Sequence, residues 1–233
     1  MTIKVIIPVK NLSIGLPGKN LKKVGGVPLY ERSLQHSINL KSLIPLEIYL
    51  STNSPAILKN DFTIEGLNVH HRDESLCQPN SLTIDVVLDV IKTYKFKEDD
   101  ITILFQPTTP FRDIKLVFEN IKFLQSNNYF KSIVSLSEVG NNHPFKMKRI
   151  TDNMEAIDYI DLGNVNTSLR QFLPKTYILS GSFYISKVKD ILNSKSLLPK
   201  PTKGVIHKSF METINIDSEQ DLIIANHYAE NSN

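Results

Sequence analysis

Residues 7–20 read IPVKNLSIGLPGKN, and this stretch decides how the rest of the chain is read. It follows a short run of Ile and Val and precedes a segment of helical period, which makes it a loop at the end of a buried strand. Gly15, Gly18, Ser13, Lys10 and Lys19 give that loop the chemistry to hold a polyphosphate. Glycines let backbone approach an anion closely, and lysines supply charge. Neither the dinucleotide fingerprint nor the Walker spacing is present. A lysine-rich surface turn after an edge strand is the plain alternative.

Outward from this loop, apolar runs alternate with helix-period segments, the signature of an α/β protein with a mostly parallel sheet. Strands are predicted over residues 5–8, 46–52, 67–71, 101–106, 133–136, 177–186 and 213–216. Helices are predicted over 29–40, 81–94, 114–124 and 218–227, the last opened by a capping box from Ser218 to Asp221. Residues 141–176 lack helical period and read as hairpins leaving the main sheet. In open sheets ligands sit beyond the carboxyl ends of the strands. That rule selects the loop from Lys10 to Asn20, Ser51 to Asn53, Arg72, and Gln106 to Arg112.

The chain has 233 residues, 41% hydrophobic and 22% charged, enough for one large α/β domain with a small lobe. A net charge of +3 without a basic stripe argues against a nucleic-acid partner and suits a small anionic substrate. Cys77 is the sole cysteine, which excludes an internal disulfide, and it reads as a small, partly buried residue. No segment reads as a signal peptide or a membrane span, so a soluble cytoplasmic protein is expected. His70 and His71 alternate across a strand and make a poor metal pair, and His143 reads as a turn residue.

Collinear motifs extend the reading. After the first loop come IYLSTNS at 48–54, LFQPTTPFR at 104–112, NHPFK at 142–146, RQFLPKTYILSGSFYI at 170–185 and INIDSEQDL at 214–222. In this order they resemble the CMP-sugar synthetases of the acylneuraminate cytidylyltransferase family, over nearly the whole chain. The resemblance implies a three-layer, Rossmann-like nucleotidyltransferase fold with a dimerisation lobe at 141–176, working as a homodimer. It also implies CMP transfer from CTP to a nonulosonic acid of sialic, legionaminic or pseudaminic type, with Mg²⁺ and release of pyrophosphate. Another nucleotide or sugar specificity, or a noncatalytic relative that binds nucleotide or sugar acid, stands as the alternative.

By the same resemblance Lys19 and Asp217 are the catalytic positions. Lys10, Ser13, Asn20, Arg72, Ser81 and Thr83 bind nucleotide. Gln106, Lys146, Arg170, Ser180 and Tyr184 bind the sugar acid, and Asp217 with Asn215 holds the metal. Arg112 is expected to fix the turn after Gln106. Plainer roles compete: a surface ion pair with Asp73 or Glu74 for Arg72, solvated charges for Lys146 and Arg170, core packing for Tyr184, and a helix N-cap for Asp217. The chain departs from the family pattern at Lys10, usually Arg; at Ile14, usually Lys; at Ser180, usually Asn; and at Asn215, usually Asp. Lys10 keeps charge but loses bidentate geometry. Asn215 offers a neutral oxygen where a hard cation prefers a carboxylate.

Overall fold

The computed structural model describes every residue except 12–14, 162, 164–166, 168 and 232–233, and the backbone but not the side chain of Arg170. The elements run in order β1 (Ile3–Val9), a small antiparallel pair β2 (Lys23–Val24) and β3 (Val27–Pro28) that was not predicted, α1 (Leu29–Lys41), β4 (Leu46–Thr52), the unpredicted short α2 (Pro55–Leu58), β5 (Leu67–His71), α3 (Thr83–Thr93), β6 (Ile101–Leu104), α4 (Ile114–Ser126) and β7 (Ser132–Glu138). Then follow an isolated hairpin of β8 (Lys148–Ile150) and β9 (Ala156–Asp158), β10 (Tyr177–Lys187), α5 (Val188–Ser194), β11 (Thr202–Ile206) and α6 (Glu219–Glu230).

Seven strands form the main sheet in the order β11-β7-β10-β6-β1-β4-β5. Only β10 runs antiparallel to its neighbours, β6 and β7. β1 pairs in parallel with β4 on one side and β6 on the other. Its residues are buried on both faces, which is why it reads as an unbroken apolar run. Val5 and Ile7 pack with Leu34 of α1 and Val117 and Ile121 of α4, whereas Ile6 packs with Val87 and Ile91 of α3 and Ile191 of α5. Helices therefore cover both faces and give three layers. The buried stripe of α3 is Val86, Val87, Val90 and Ile91, with Ile84 and Leu88 only partly buried against it.

Differences from the predicted elements have local causes. Residues 213–216 are not a strand. Phe210–Thr213 is a 3-10 turn, and Ile214 and Ile216 turn inward to a third apolar cluster beneath α6. The alternation of that segment is real, but it serves helix packing. The N-cap of α6 is Ser218, not Asp217, and its side chain and that of Asp221 complete the capping box. β11, with Gly204 in its middle, and the short α5 were not legible in the sequence.

Between Leu179, opposite Leu136, and Tyr184, opposite Val134, the register of β10 shifts. Ser180, Gly181, Ser182 and Phe183 thus stand against Ser135 alone, a wide bulge. Arg112 clamps the bulge to the loop after β6. Its guanidinium donates to the carbonyl of Ser182 at 2.7 Å, to Thr109 Oγ1 at 2.9 Å and to the carbonyl of Gln106. This is the turn-fixing role the sequence suggested.

Arg112 also donates to His36 Nδ1 at 3.2 Å. Burial, with repulsion from Arg112 and Arg32, holds the His36 imidazole down to about 3. The unfolded chain takes up that proton near pH 6.5 and the folded protein does not, so stability falls as pH drops below about 6.5. Between pH 6.5 and 5 this group alone removes about 2 kcal/mol. His36→Gln keeps an acceptor for Arg112 and should flatten that part of the slope in urea denaturation; an unchanged slope would place the acid sensitivity elsewhere.

Candidate functional site

The chain leaves β1 for β4 and β5 on one side and then returns to β6 on the other, so a topological switch lies between β1 and β6. A cleft of about 340 Å³ opens there, at the carboxyl ends of the strands. Lys10, Lys19, Asn20, Arg72, Ser81, Thr83, Gln106 and Asp217, named from sequence, all line it. Gly15 of the first loop and Pro107 and Thr108 of the selected stretch 106–112 also line it. Pro8, Leu76 and Val86 line it and were missed; Leu76 and Val86 carry no chemical signal of their own. Ser13 and the departing Ile14 lie outside the described residues.

The loop after β1 is held by its own polar groups. Asn20, buried, donates its amide to the Lys10 carbonyl at 2.8 Å, and Lys10 Nζ reaches the Gln78 carbonyl at 2.7 Å. Gly15 serves a different approach from the one expected of it. A Cβ there would lie 2.9 Å from the Asp217 carbonyl oxygen, so the loop presses directly on the segment that carries the aspartate.

Lys19 Nζ bonds Asp217 Oδ1 at 2.8 Å, and the Asn215 amide bonds Asp217 Oδ2 at 2.5 Å. Asn215 and Asp217 are therefore side by side, as the metal assignment requires, although no strand puts them there. Asp217 is the one carboxylate of the pair, and among the described residues no group of three or more His, Cys, Asp or Glu is placed to hold a metal ion. That donor set fits a cation such as Mg²⁺ only if substrate oxygens complete its shell, which is its usual mode with phosphates.

At the opposite wall Arg72 is buried and makes no surface ion pair with Asp73 or Glu74. Its guanidinium donates to the Ser51 carbonyl at 2.8 Å and to Ser51 Oγ at 3.3 Å. Ser51 in turn meets His70 Nδ1 at 3.0 Å, and His70 Nε2 lies 3.2 Å from Asp89. Burial lowers the pKa values of both Arg72 and His70. Asn53 holds the first loop by accepting from the Asn11 amide at 3.0 Å. Ser81 Oγ donates to the Ser75 carbonyl at 3.1 Å. Cys77 is buried with its thiol on the Asp73 carbonyl, and burial pushes its pKa up, which removes it as a nucleophile.

Gln106 sits under the bulge of β10. A Cβ on Gly181, whose φ is +79°, would lie 2.6 Å from Gln106 Oε1, so only glycine allows this approach. Ser180 does not face the cleft. Its hydroxyl is buried against Ser135 Oγ at 2.7 Å and His207 Nε2 at 2.9 Å, because serine is short enough to fold back into the bulge. Ser180 therefore does not line the cleft with the other residues named from sequence. Tyr184 packs among the apolar residues of α3 and α5, the core role that competed for it. Lys146 is exposed on a 3-10 turn and does not line this cleft; the backbone of Arg170 lies in another such turn, and its side chain is outside the described residues. His143 accepts from the Phe145 amide at 3.1 Å and reaches the Pro174 carbonyl, a structural turn histidine.

Comparison with known proteins agrees with this geometry. The family described as Cytidylyltransferase matches residues 4–184. The CMP-N,N'-diacetyllegionaminic acid synthase of Legionella pneumophila is 32% identical, over 95% of this chain and 93% of its own. The N-acylneuraminate cytidylyltransferase of Streptococcus agalactiae is 27% identical over 94% of this chain, which spans only 51% of that longer relative. Among solved structures, a CMP:2-keto-3-deoxy-manno-octonic acid synthetase complexed with CTP superposes with a TM-score of 0.65 at 15% identity, covering 100% of both chains. The Francisella tularensis 2-C-methyl-D-erythritol 4-phosphate cytidylyltransferase gives 0.65 at 16% identity, over 97% of this chain and 99% of its own. At those identities the structural likeness speaks to fold.

The pair of Lys19 and Asp217 is open to water at the carboxylate, and pairs of that kind add little stability. Asp217→Asn should therefore change the free energy of unfolding by less than about 0.5 kcal/mol, read from urea denaturation. A larger loss would make the pair a structural element and weaken its claim to chemistry.

Proposed function

Because the chain belongs to the cytidylyltransferase family, we propose that it transfers CMP from CTP to a nonulosonic acid and releases pyrophosphate. The observation that carries this reading is the convergence of Lys10, Lys19, Asn20, Arg72, Ser81, Thr83, Gln106 and Asp217 on one cleft at the switch between β1 and β6. The near full-length match to a CMP-legionaminic acid synthase supports a nonulosonic acid as acceptor.

In this reading the base lies toward Arg72, Ser81 and Thr83, and the triphosphate runs along Lys10, Asn20 and Lys19. Gln106 orients the acid so that its anomeric hydroxyl faces the α-phosphorus. A new P–O bond forms there as the bond to the β-phosphate breaks. Fixing both partners in line accounts for much of the rate, and the lysines offset charge on the departing pyrophosphate. The triphosphate competes with Asp217 for Lys19. Asp217 and the Asn215 side-chain oxygen would hold a magnesium ion, which when bound would supply positive charge against the phosphates. The missing second carboxylate makes the site lean on the nucleotide for metal binding. A cytoplasmic location is part of this proposal, and among the described residues no helix is long and apolar enough to cross a membrane.

The lobe supplies a reason for a homodimer. Phe172 is 75% exposed, and Tyr159, Ile160 and Leu169 of the lobe, with Ile178 and Leu179 at the start of β10, are also open to solvent. Apolar side chains exposed in this number are what a subunit interface would cover. Lys146, which does not line the cleft of its own chain, and Arg170 would then serve the acceptor carboxylate in the partner's cleft.

Pyrophosphate release with CTP, Mg²⁺ and a panel of sialic, legionaminic, pseudaminic and octulosonic acids tests the reaction. Turnover with a nine-carbon acid and CTP, and not with UTP or GTP, is expected. CTP binding without turnover on any acid would favour the noncatalytic relative. Shared sites predict complementation: co-refolded Arg170→Ala and Asp217→Asn chains should regain about a quarter of wild-type activity, because half the dimers are mixed and each rebuilds one site. No recovery in a proven mixed dimer would confine each site to one chain.

A further inference from the structure

Behind the cleft, a line of side chains joins β7, β10, β11 and the turn before Asp217. Ser135 Oγ accepts from the Phe183 amide at 3.0 Å and lies 2.7 Å from Ser180 Oγ. Ser180 Oγ also accepts from the Ser182 amide at 3.3 Å and meets His207 Nε2 at 2.9 Å. His207 Nδ1 meets Glu212 Oε2 at 2.6 Å. The His207 side chain is 1% exposed and that of Glu212 14%. The imidazole edge packs on the Phe183 ring, with centroids 6.2 Å apart.

Serine, histidine and glutamate in this connectivity match a nucleophilic triad, but the burial excludes that use. Ser180 is buried, its hydroxyl is surrounded by Ser135, Ser182 and His207, and no face is left for a carbonyl to approach. What the line does contact is backbone at both ends of the cleft. On one side it fixes Ser180 to Phe183, the bulge whose Gly181 seats Gln106 and whose carbonyls hold Thr109 and Arg112. On the other, Glu212 lies in the Phe210–Thr213 turn, which leads directly into Asn215 and Asp217. The Ile216 amide closes the loop by donating to the Thr108 carbonyl at 2.8 Å.

We propose that His207, paired with Glu212 and Ser180, is a positioning residue that registers the Gln106 end of the cleft against the Asp217 end. The carboxylate of Glu212 fixes the imidazole tautomer and orientation, as an outer partner does for a histidine in a metal site. The inference rests on the reading of the cleft as a cytidylyltransferase site. It explains why Ser180 stands where the family motif has Asn: the shorter side chain turns inward to meet His207 and gives up contact with the ligand.

The test compares His207→Phe, which keeps a ring against Phe183, with Ser180→Ala and with the pair Glu212→Gln and Glu212→Ala. In wild type and each variant, CTP binding is measured calorimetrically, kinetics with the acid that turns over, and the amide resonances of Gly181, Asp217 and the Gln106 side chain by NMR. His207→Phe should raise the KM for the acid about tenfold, because small misplacements of orienting groups are costly, while the Kd for CTP moves less than about twofold. The Gly181, Gln106 and Asp217 resonances should shift together in His207→Phe and Ser180→Ala. Glu212→Gln, whose amide oxygen still accepts from Nδ1–H, should stay near wild type, and Glu212→Ala should not. A folded Ser180→Ala or His207→Phe protein with those resonances unmoved and acid KM unchanged would overturn the proposal. A wild type that turns over no acid would sink the functional reading alone, and the resonances would still decide the positioning role.

Discussion

The structure depends on a buried guanidinium. Arg112 is 8% exposed and meets no carboxylate; it spends its donors on the Gln106 and Ser182 carbonyls, Thr109 and His36. A charge buried this way is tolerable because nearly every proton has an acceptor, and burial still pulls its pKa down. In return the loop after β6, the bulge of β10 and helix α1 share one fixed point. Without it Gln106 would sit on an unsupported turn at the middle of the sheet.

The two ends of the cleft are built differently. The Arg72 end is rigid, with the guanidinium tied to β4 through Ser51 and on through His70 to Asp89 of α3. The Asp217 end is polar and more open, with Lys19 and Asn215 already occupying both carboxylate oxygens. A base that must be recognised by shape belongs at the first end. A triphosphate that must enter, exchange partners with a lysine and leave as pyrophosphate belongs at the second. Of the departures from the family pattern, Asn215 stands at the second end, whereas Lys10 reaches the Gln78 carbonyl toward the first.

Much of this was legible in the sequence because of how parallel sheets bury their strands. β4 has the predicted limits and β1 extends the prediction by a few residues, since a strand covered on both faces is largely apolar; the edge strand β5 also has its predicted limits although it is only partly buried. The strand-end rule selected Lys10, Lys19, Asn20, Arg72 and Gln106 of the cleft without any contact being known, and the family resemblance added Ser81, Thr83 and Asp217. What failed was long-range. The segment 213–216 alternates like a strand, yet its inward residues serve α6, and only the fold shows which partner they meet. Ser180 was assigned by its place in a motif, but its orientation is decided by Ser135 and His207, distant in sequence. β11 was hidden by its glycine and polar residues, and α5 by following β10 without a turn between them.

In the proposed function one cleft, at the switch between β1 and β6, binds the nucleotide by its base at Arg72 and its phosphates at Lys19. A crystal structure of the protein with CTP is the decisive test. The cytosine should lie beside Arg72, Ser81 and Thr83 and the triphosphate along Lys10, Asn20 and Lys19, with the ion pair of Lys19 and Asp217 opened. A nucleotide bound elsewhere, or one in the cleft with its base at Asp217 and its phosphates at Arg72, would contradict it.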